Sequence, residues 1–299
     1  MREAVVPRLY PYSSKGTMGE RTDIQADDIS EHVSAEKQAI QAWRQADIDL
    51  SAVRTYLRRL RQTEDEMEPP ATEDELRSLS VLTEVSGVLH PTLYGVMAFG
   101  KEPQRYPQTG NFWIECVAYA GADRAADVVL VGDGKGRLDE QVHRAVGWVR
   151  GLGKAERYSG LIREDIPLVP EKVLREALVN AVVHRDYAIT GSKVLLEVFA
   201  DRIAITSPGT LPSQGRRGVS PRTSEGQAAG SRFYRSRNEL MANYMLVMGA
   251  MEQRGRGWPV MRRAMREFNG TDAELTQDEG GKFVRVTLRL QGGEAPEEK

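Results

Sequence analysis

Apolar residues recur at three- and four-residue steps in several stretches of the chain, which is the spacing of one face of an α-helix. Thr72-Glu-Asp-Glu opens one of these stretches with a capping box, a signal for a helix start. Two further helices are predicted near the end of the chain, separated by Gly255-Arg-Gly. The predicted helices cover residues 34–61, a segment after residue 72, residues 138–149, residues 171–186 and two segments between residues 238 and 281.

Short apolar runs predict the strands. The runs 193–199 and 202–206 are separated only by Ala200-Asp201, which predicts a hairpin. Residues 282–290 alternate apolar with polar side chains, which is typical of a strand with one buried face. Further strands are predicted at 112–119 and 127–131, and a loop at 161–170. Residues 93–99 are predicted to be buried, but the pattern does not decide their secondary structure. Strands and helices in this order indicate a mixed α/β fold.

The composition is that of an ordinary globular protein. Of 299 residues, 40% are hydrophobic, and 41 Lys and Arg stand against 43 Asp and Glu for a net charge of −2. This argues against a disordered or polybasic chain. The single cysteine, Cys116, excludes an intrachain disulfide and a multi-cysteine zinc module. No apolar run approaches the roughly 18 residues that span a bilayer, and the first 21 residues lack a signal-peptide core. We therefore expect a cytoplasmic chain without a membrane partner.

The most informative segment is the helix predicted at residues 171–186, which is apolar around most of its circumference. Glu176, Asn180 and His184 are spaced four residues apart and therefore form one narrow polar stripe on it. Burying an amide without a partner costs roughly 1–3 kcal/mol, and burying a carboxylate costs more. The stripe must therefore face either protein partners in a structural network or a cavity that holds water, metal or ligand.

This helix and the parts that follow it, taken in order, resemble a known family. They are the helix itself with His184-Arg-Asp-Tyr, then Asp201-Arg-Ile-Ala-Ile-Thr-Ser-Pro-Gly-Thr-Leu-Pro, Ser236-Arg-Asn, and Glu252-x-x-Gly-Arg-Gly-Trp. Together they resemble the ATP-binding half of the Schlafen/AlbA-type regulators of transcription, which belongs to the gyrase/histidine-kinase/MutL (GHKL) class of ATPase folds. The resemblance covers roughly residues 75–290. The sequence contains no Gly-rich Lys-Ser/Thr phosphate loop of a helicase motor.

The resemblance implies an α/β fold of the α+β sandwich type. In it a GHKL-like domain, whose mixed sheet is covered by helices, follows a smaller α/β and helical section. It divides the chain into four sections. These are a mostly helical arm with a remnant of an AlbA-type domain at 1–69, an α/β connecting section at 70–160, the GHKL-like ATP-binding domain at 161–291 and an acidic tail at 292–299.

The resemblance also implies a site with ATP and Mg²⁺ as cofactors. Glu176 would position or deprotonate the attacking water, and Asn180 would contact the nucleotide through the Mg²⁺ that bridges its phosphates, since this cation prefers oxygen ligands. Gly255 and Gly257 would let the backbone approach phosphate oxygens at a helix N-terminus. The other implied nucleotide contacts are Ser207, Gly209, Arg237 and Asn238. His184 and Asp186 match the motif without an assigned role.

The function that the resemblance implies is that of an ATP-binding regulator of transcription, with slow ATP hydrolysis left open. Residues 213–237 carry six arginines against one glutamate. Three interpretations are a lid that pairs with nucleotide phosphates, a nucleic-acid contact and a solvated loop. DNA would be contacted directly or through a partner protein. The alternatives are a nucleic-acid-binding regulator with a vestigial nucleotide site, and an inactive remnant of a longer regulator. Homodimers are common in this ATPase class, and the sequence locates no interface.

Overall fold

The computed structural model describes residues 34–63, 71–153, 155–159, 162–211, 236–251 and 257–290, with the backbone alone for residues 155–159 and 162–166. These residues belong to one compact unit, Val33–Lys299. The helices are α1 Leu50–Arg61, α2 Glu73–Ser78, α3 Leu93–Phe99, α4 Leu138–Gly151, α5 Glu171–Val183, α6 Glu239–Val247 and α7 Gly257–Asn269. The strands are β1 Leu82–Val85, β2 Val88–Pro91, β3 Ile114–Tyr119, β4 Val128–Gly134, β5 Ala155–Ser159, β6 Ile162–Ile166, β7 Val194–Val198, β8 Arg202–Pro208, β9 Glu274–Gln277 and β10 Phe283–Arg289.

A six-stranded mixed sheet is the centre of the fold, with the strand order β4-β3-β7-β8-β10-β9. Its neighbours are antiparallel except β3 and β7, which run parallel with Ile114 opposite Val194. Two hairpins, β1–β2 and β5–β6, lie outside this sheet. Because β3 and β4 share the sheet with β7–β10, the sheet crosses the division that the resemblance placed at residue 161.

Helices pack against this sheet. The α4 helix packs on β3 and β4, α5 packs on β8, and α5 also packs against α4 and α7. The α6 helix packs against α1, α3, α4 and α5. The expected α/β fold, a mixed sheet covered by helices, is therefore confirmed.

Several predicted elements are confirmed with their local cause. The capping box at the start of α2 is formed, since Glu75 N donates to Thr72 Oγ1 at 3.2 Å and Thr72 N donates to Glu75 Oε2 at 2.9 Å. The β7–β8 hairpin and the final strand β10 are also present. The buried segment 93–99 is a helix, α3, whose first turn is capped by Thr92.

Two sequence predictions were wrong. The helix expected over residues 34–61 begins only at Leu50, because the Asp49 carboxylate accepts from Ser51 N at 2.9 Å and fixes the helix start there. Before it the chain makes two short 3₁₀ turns, Ala35–Lys37 and Gln45–Asp47. The loop expected at 161–170 contains strand β6, which pairs with β5.

The structure also bears on the expectations about membrane spans and about the single cysteine. Among the described residues, no helix is long and apolar enough to cross a membrane. Cys116 is a free cysteine in the buried core of β3, and burial raises the pKa of its thiol to about 12.

Candidate functional site

Helix α5 lies in the centre of the molecule, between strand β8 and helices α4, α6 and α7. Its apolar side chains are accordingly buried on several sides, as the sequence pattern predicts. The polar stripe is the exception, because Glu176 and Asn180 are only partly buried. The structure therefore places the stripe at an accessible edge of the helical layer.

Glu176 and Asn180 are in contact with each other. The amide nitrogen Nδ2 of Asn180 donates to Glu176 Oε1 at 3.2 Å. The amide oxygen of Asn180 is consequently the atom of that group that faces away from the carboxylate. Two side chains separated by one helical turn thus present one carboxylate and one amide oxygen at the same place.

Gly257, the first residue of α7, lies directly against this pair. A Cβ atom built on Gly257 would lie 1.9 Å from Glu176 Oε1, so no larger residue fits unless the Glu176 side chain moves. The start of α7 also carries the positive end of the helix dipole, which favours a carboxylate beside it. The sequence analysis expected the backbone at Gly257 to approach a phosphate. The structure shows that it closely approaches the Glu176 carboxylate.

A second group of site residues lies at the C-terminal end of α5. His184 ends the helix, its backbone N–H donating to Asn180 O at 2.9 Å. Asp186 forms an ion pair with Arg237, with 3.0 Å between Oδ2 and Nη1. Arg237 also donates from Nη2 to Thr210 Oγ1 at 3.0 Å. This Arg237 guanidinium therefore connects the chain after α5 to the chain after β8.

Gly209 allows these segments to come together. Its φ is 142°, a region that favours glycine, and a Cβ atom there would lie 3.2 Å from Arg237 Nη1 and 3.3 Å from Asp186 N. Its own N–H donates to Lys282 O at 2.7 Å. Gly209 is thus favoured by its backbone conformation and by the close packing around the Asp186–Arg237 pair, reasons that hold with or without a ligand.

Asn238 is buried at 1% exposure and fixes the end of α5. Its Nδ2 donates to Val183 O at 2.8 Å and to Arg185 O at 2.9 Å, which satisfies carbonyls that the helix end leaves unpaired. Its Oδ1 is buried and has no hydrogen-bond partner in the described part of the chain. The observed role of Asn238 is therefore to position α5 relative to α6.

Ser207 lies near the end of β8 and is buried. Its hydroxyl donates to Ala181 O on α5 at 2.6 Å, so the one donor of this group is already used. Only its acceptor positions remain for another partner. The contact between Ser207 and a nucleotide stays a prediction.

The sequence analysis missed Arg185, the most buried cation of this region, at 1% exposure. Its guanidinium donates to three backbone carbonyls, and it lies over the rings of Phe112, at 4.5 Å, and Tyr187, at 5.0 Å. The carbonyls are those of Asp186 at 2.8 Å, Ile189 at 2.7 Å and Ser192 at 2.5 Å. Arg185 therefore fixes the loop that follows α5. Its position inside the His184-Arg-Asp motif was the only available signal.

The sequence analysis also missed Glu36, which is buried at 2% exposure. Its carboxylate accepts from Leu240 N at 3.1 Å and from Met241 N at 3.2 Å, and so caps the N-terminus of α6. Burial raises the pKa of Glu36, while these backbone N–H groups act in the opposite direction. No local pattern around Glu36 marks this long-range cap.

The electrostatics of the site favour a neutral His184. Two effects lower the pKa of His184: neighbouring protein atoms desolvate part of its ring, and the positive charge of Arg237 lies close by. The residue nevertheless keeps an exposed surface. Among the described residues, no group of three or more His, Cys, Asp or Glu side chains is placed so that it could hold a metal ion. The amide oxygen of Asn180 would offer one oxygen ligand, which fits Mg²⁺ because this cation commonly takes one or two protein ligands together with phosphate oxygens.

Part of the predicted site lies outside the described residues. This applies to Gly255 and to residues 213–235 of the arginine-rich stretch. Of the remaining site residues, the structure brings Glu176, Asn180 and Gly257 together as one group. The second group, at the C-terminal end of α5, consists of Ser207, Gly209, Arg237, Asn238, His184 and Asp186.

Comparison with known proteins adds a family likeness for the last part of the chain. Residues 191–288 match a family model, HATPase_c_4, described as "Putative ATP-dependent DNA helicase recG C-terminal". The C-terminal part of the chain is an ATPase-like domain. The match includes β7, β8, α6, α7, β9 and β10. The match begins after α5 and does not include Glu176 or Asn180. These two residues are candidates for the site because of their geometry alone.

The fold is also similar to that of a solved structure. The crystal structure of the DIP2311 protein from Corynebacterium diphtheriae superposes with a TM-score of 0.59 at 19% sequence identity. The similarity covers 86% of this chain and 48% of that chain, so this chain spans about half the length of that protein. At this identity the likeness concerns the fold alone. No curated protein matches the sequence.

Proposed function

We propose that this chain binds ATP at the edge of α5 that carries Glu176 and Asn180. The observation that carries the proposal is the contact of the Glu176–Asn180 pair with the start of α7 at Gly257, where a Cβ would lie 1.9 Å from the carboxylate. A helix N-terminus against a carboxylate and an amide offers both anion-binding N–H groups and cation-binding oxygens. A nucleotide with its bound cation needs both. The likeness of residues 191–288 to an ATPase-like domain supports ATP binding by the chain, although it does not include Glu176 or Asn180.

In this proposal Mg²⁺ would be held by the amide oxygen of Asn180 together with phosphate oxygens of the nucleotide. When bound, the cation would neutralise phosphate charge. Asn180 is suited to this role because its Nδ2 is already directed to Glu176, which fixes the orientation of the amide. Glu176 in turn is held beside Gly257, close to where phosphates would approach the start of α7.

Glu176 is the candidate general base for slow hydrolysis. Its carboxylate is partly buried and oriented by the Asn180 amide, so it can accept a hydrogen bond from a water molecule next to a bound phosphate. Arg237 would supply positive charge from the other end of α5, where Gly209 leaves room for its guanidinium. Asn238 would act indirectly, by positioning α5.

Measurements on Glu176→Gln separate binding from hydrolysis. We expect this variant to bind an ATP analogue within threefold of the wild-type affinity and to release phosphate at least about 100-fold more slowly, the usual effect of losing a general base. Asn111→Ala is the control, because Asn111 makes one surface hydrogen bond, to Thr190 O at 3.0 Å. Phosphate release by Glu176→Gln at the wild-type rate would exclude Glu176 as the base.

A regulatory role in transcription is a further part of this proposal and is supported by the resemblance of the motifs. DNA would be contacted directly or through a partner protein. Electrophoretic retardation of duplex DNA at low salt tests the direct route. We expect retardation to be lost when Arg216, Arg217 and Arg222 are all changed to Ala. Absence of retardation by the wild type would exclude direct DNA contact.

A further inference from the structure

Strand β4 leaves an unusual surface at one edge of the central sheet. It pairs with β3 on its inner side, and no strand in the described part of the chain pairs with its outer side. Four consecutive apolar residues of β4 are strongly exposed: Val128 at 55%, Val129 at 65%, Leu130 at 45% and Val131 at 61%. Natural proteins usually protect such edges with charges, prolines, β-bulges or covering segments, because free backbone groups pair readily with another strand. Here the β3–β4 register is irregular only at Val129, between its pairs at Val128 and Leu130, and continues regularly from Leu130 to Gly134.

We propose that this edge is a dimer interface, at which β4 pairs antiparallel with β4 of a second copy about a two-fold axis at Val131. The two sheets would then continue into one another as a twelve-stranded sheet. A two-fold axis makes the same surface serve both partners, so a self-complementary strand is sufficient. The proposal does not depend on nucleotide binding.

Charge and side-chain size favour a second copy as the occupant. Val131 is the middle residue of β4, so an axis there gives the longest overlap. It places Asp127 of one copy opposite Lys135 of the other, just beyond the two ends of β4, and opposite charges at such positions attract although Lys135 also pairs with Asp133 of its own chain at 3.1 Å. It also places Leu130 opposite Gly132, whose Cβ position is covered by the Trp148 ring, so that the leucine side chain would meet this ring. An axis at Leu130 would instead bring Asp127 opposite Asp133, a repulsive pair.

The helical layer leaves room for this arrangement. Helix α4 covers β3 and β4, and a Cβ on Gly132 would lie 2.4 Å from the Trp148 ring, so this helix lies over the edge pair of strands. With strands about 4.8 Å apart, the two α4 helices would lie about 10 Å apart, which is a normal packing distance for helices.

The side of α4 next to Trp148 carries glycines, which leave room for a second helix. Gly147 and Gly151 are one helical turn apart, Gly151 lies three residues after Trp148, and nothing lies within 4 Å of the Cβ position of either glycine. Glycines at this spacing allow two helices to approach closely. The indole Nε1 of Trp148 is buried without a hydrogen-bond partner in the described part of the chain. The sheet edge and the helix flank above it are therefore both suited to a second copy.

Sedimentation equilibrium of the full chain tests the proposal. We expect a concentration-dependent dimer in the wild type, and Val131→Lys should raise its dissociation constant at least tenfold. Val88→Lys is the matched control, because Val88 is also an exposed strand valine, at 52%, but lies on the β1–β2 hairpin. Equal thermal melting of the two variants shows that both are folded. A wild type that stays monomeric at 100 micromolar, or equal effects of both variants, would overturn the proposal.

Disulfide crosslinking tests the register independently of stability. Paired residues in antiparallel strands have Cα atoms about 4.5–5.5 Å apart, which suits a disulfide. Val131→Cys should therefore form a covalent dimer under mild oxidation, whereas Val88→Cys should not. The wild type is a clean background because its single cysteine, Cys116, is buried. Crosslinking of Val88→Cys at the same rate, or none of Val131→Cys, would overturn the proposed register.

Discussion

Asn238→Ala tests whether one buried amide determines how α5 and α6 are joined beside the candidate site. In the wild type, Asn238 Nδ2 donates to Val183 O at 2.8 Å and Arg185 O at 2.9 Å. Alanine removes both donors and places no other polar atom near these carbonyls. The two acceptors at the end of α5 would then be left unsatisfied in a buried region.

The expected magnitude follows from these contacts. Each buried acceptor left without a partner costs about 1–3 kcal/mol. Part of this loss is offset, because the variant also removes Oδ1, which is buried without a partner in the described structure. We therefore expect the free energy of unfolding to fall by about 2–4 kcal/mol. For a chain of this size, that corresponds to a decrease of about 5–15 °C in Tm.

Urea denaturation followed by circular dichroism measures this change. Asn111→Ala is the matched control, because its side chain also donates to a backbone carbonyl, Thr190 O at 3.0 Å, but at the surface. We expect the control to lose less than about 1 kcal/mol, since water replaces the lost donor. A loss for Asn238→Ala below 1 kcal/mol, or equal to that of the control, would refute the assigned structural role.

Three further predictions concern other residues around the site. Arg185→Met should destabilise the protein by about 3 kcal/mol or more in urea denaturation, because three loop carbonyls lose their donor; an unchanged midpoint would contradict this. Gly257→Ala should change stability by less than about 1 kcal/mol, since only the flexible end of Glu176 must move, yet should weaken ATP-analogue binding at least tenfold in a titration. Glu36 has a raised pKa when folded, so its contribution to stability is complete at acidic pH and is lost as pH rises through that pKa. The stability of the wild type relative to Glu36→Gln should therefore fall as the pH rises above 4.5, the ordinary pKa of a glutamate, and a rise would contradict the assignment.

The parts of the fold that the sequence predicts well are those fixed by neighbouring residues. The Thr72 capping box, the β7–β8 hairpin across Ala200-Asp201 and the alternating strand β10 depend on contacts a few positions apart. The error over residues 34–49 has the opposite origin. There the bridge between Ile48 and Gly100 holds the chain extended through a contact with a distant segment. Helical spacing of apolar residues cannot register such a contact.

The candidate site shows the same distinction. The stripe of Glu176 and Asn180 was predictable because both residues lie on one helix, and the structure confirms that they are in contact. The role of Glu36 was not predictable, because it caps a helix about 200 residues away in sequence. The parallel pairing of β3 with β7 likewise joins segments about 80 residues apart. Such pairings follow from the assembled core and leave no local signature.

The most direct test of the central claim, that ATP binds at Glu176 and Asn180, is a calorimetric titration with a non-hydrolysable ATP analogue. It should be done with and without Mg²⁺ on the wild type, Asn180→Ala and the control Asn111→Ala. We predict Mg²⁺-dependent binding by the wild type and the control, weakened at least tenfold in Asn180→Ala. Absence of binding by a folded wild type, or equal affinity of all three proteins, would contradict the proposal and leave the polar stripe of α5 as a structural network.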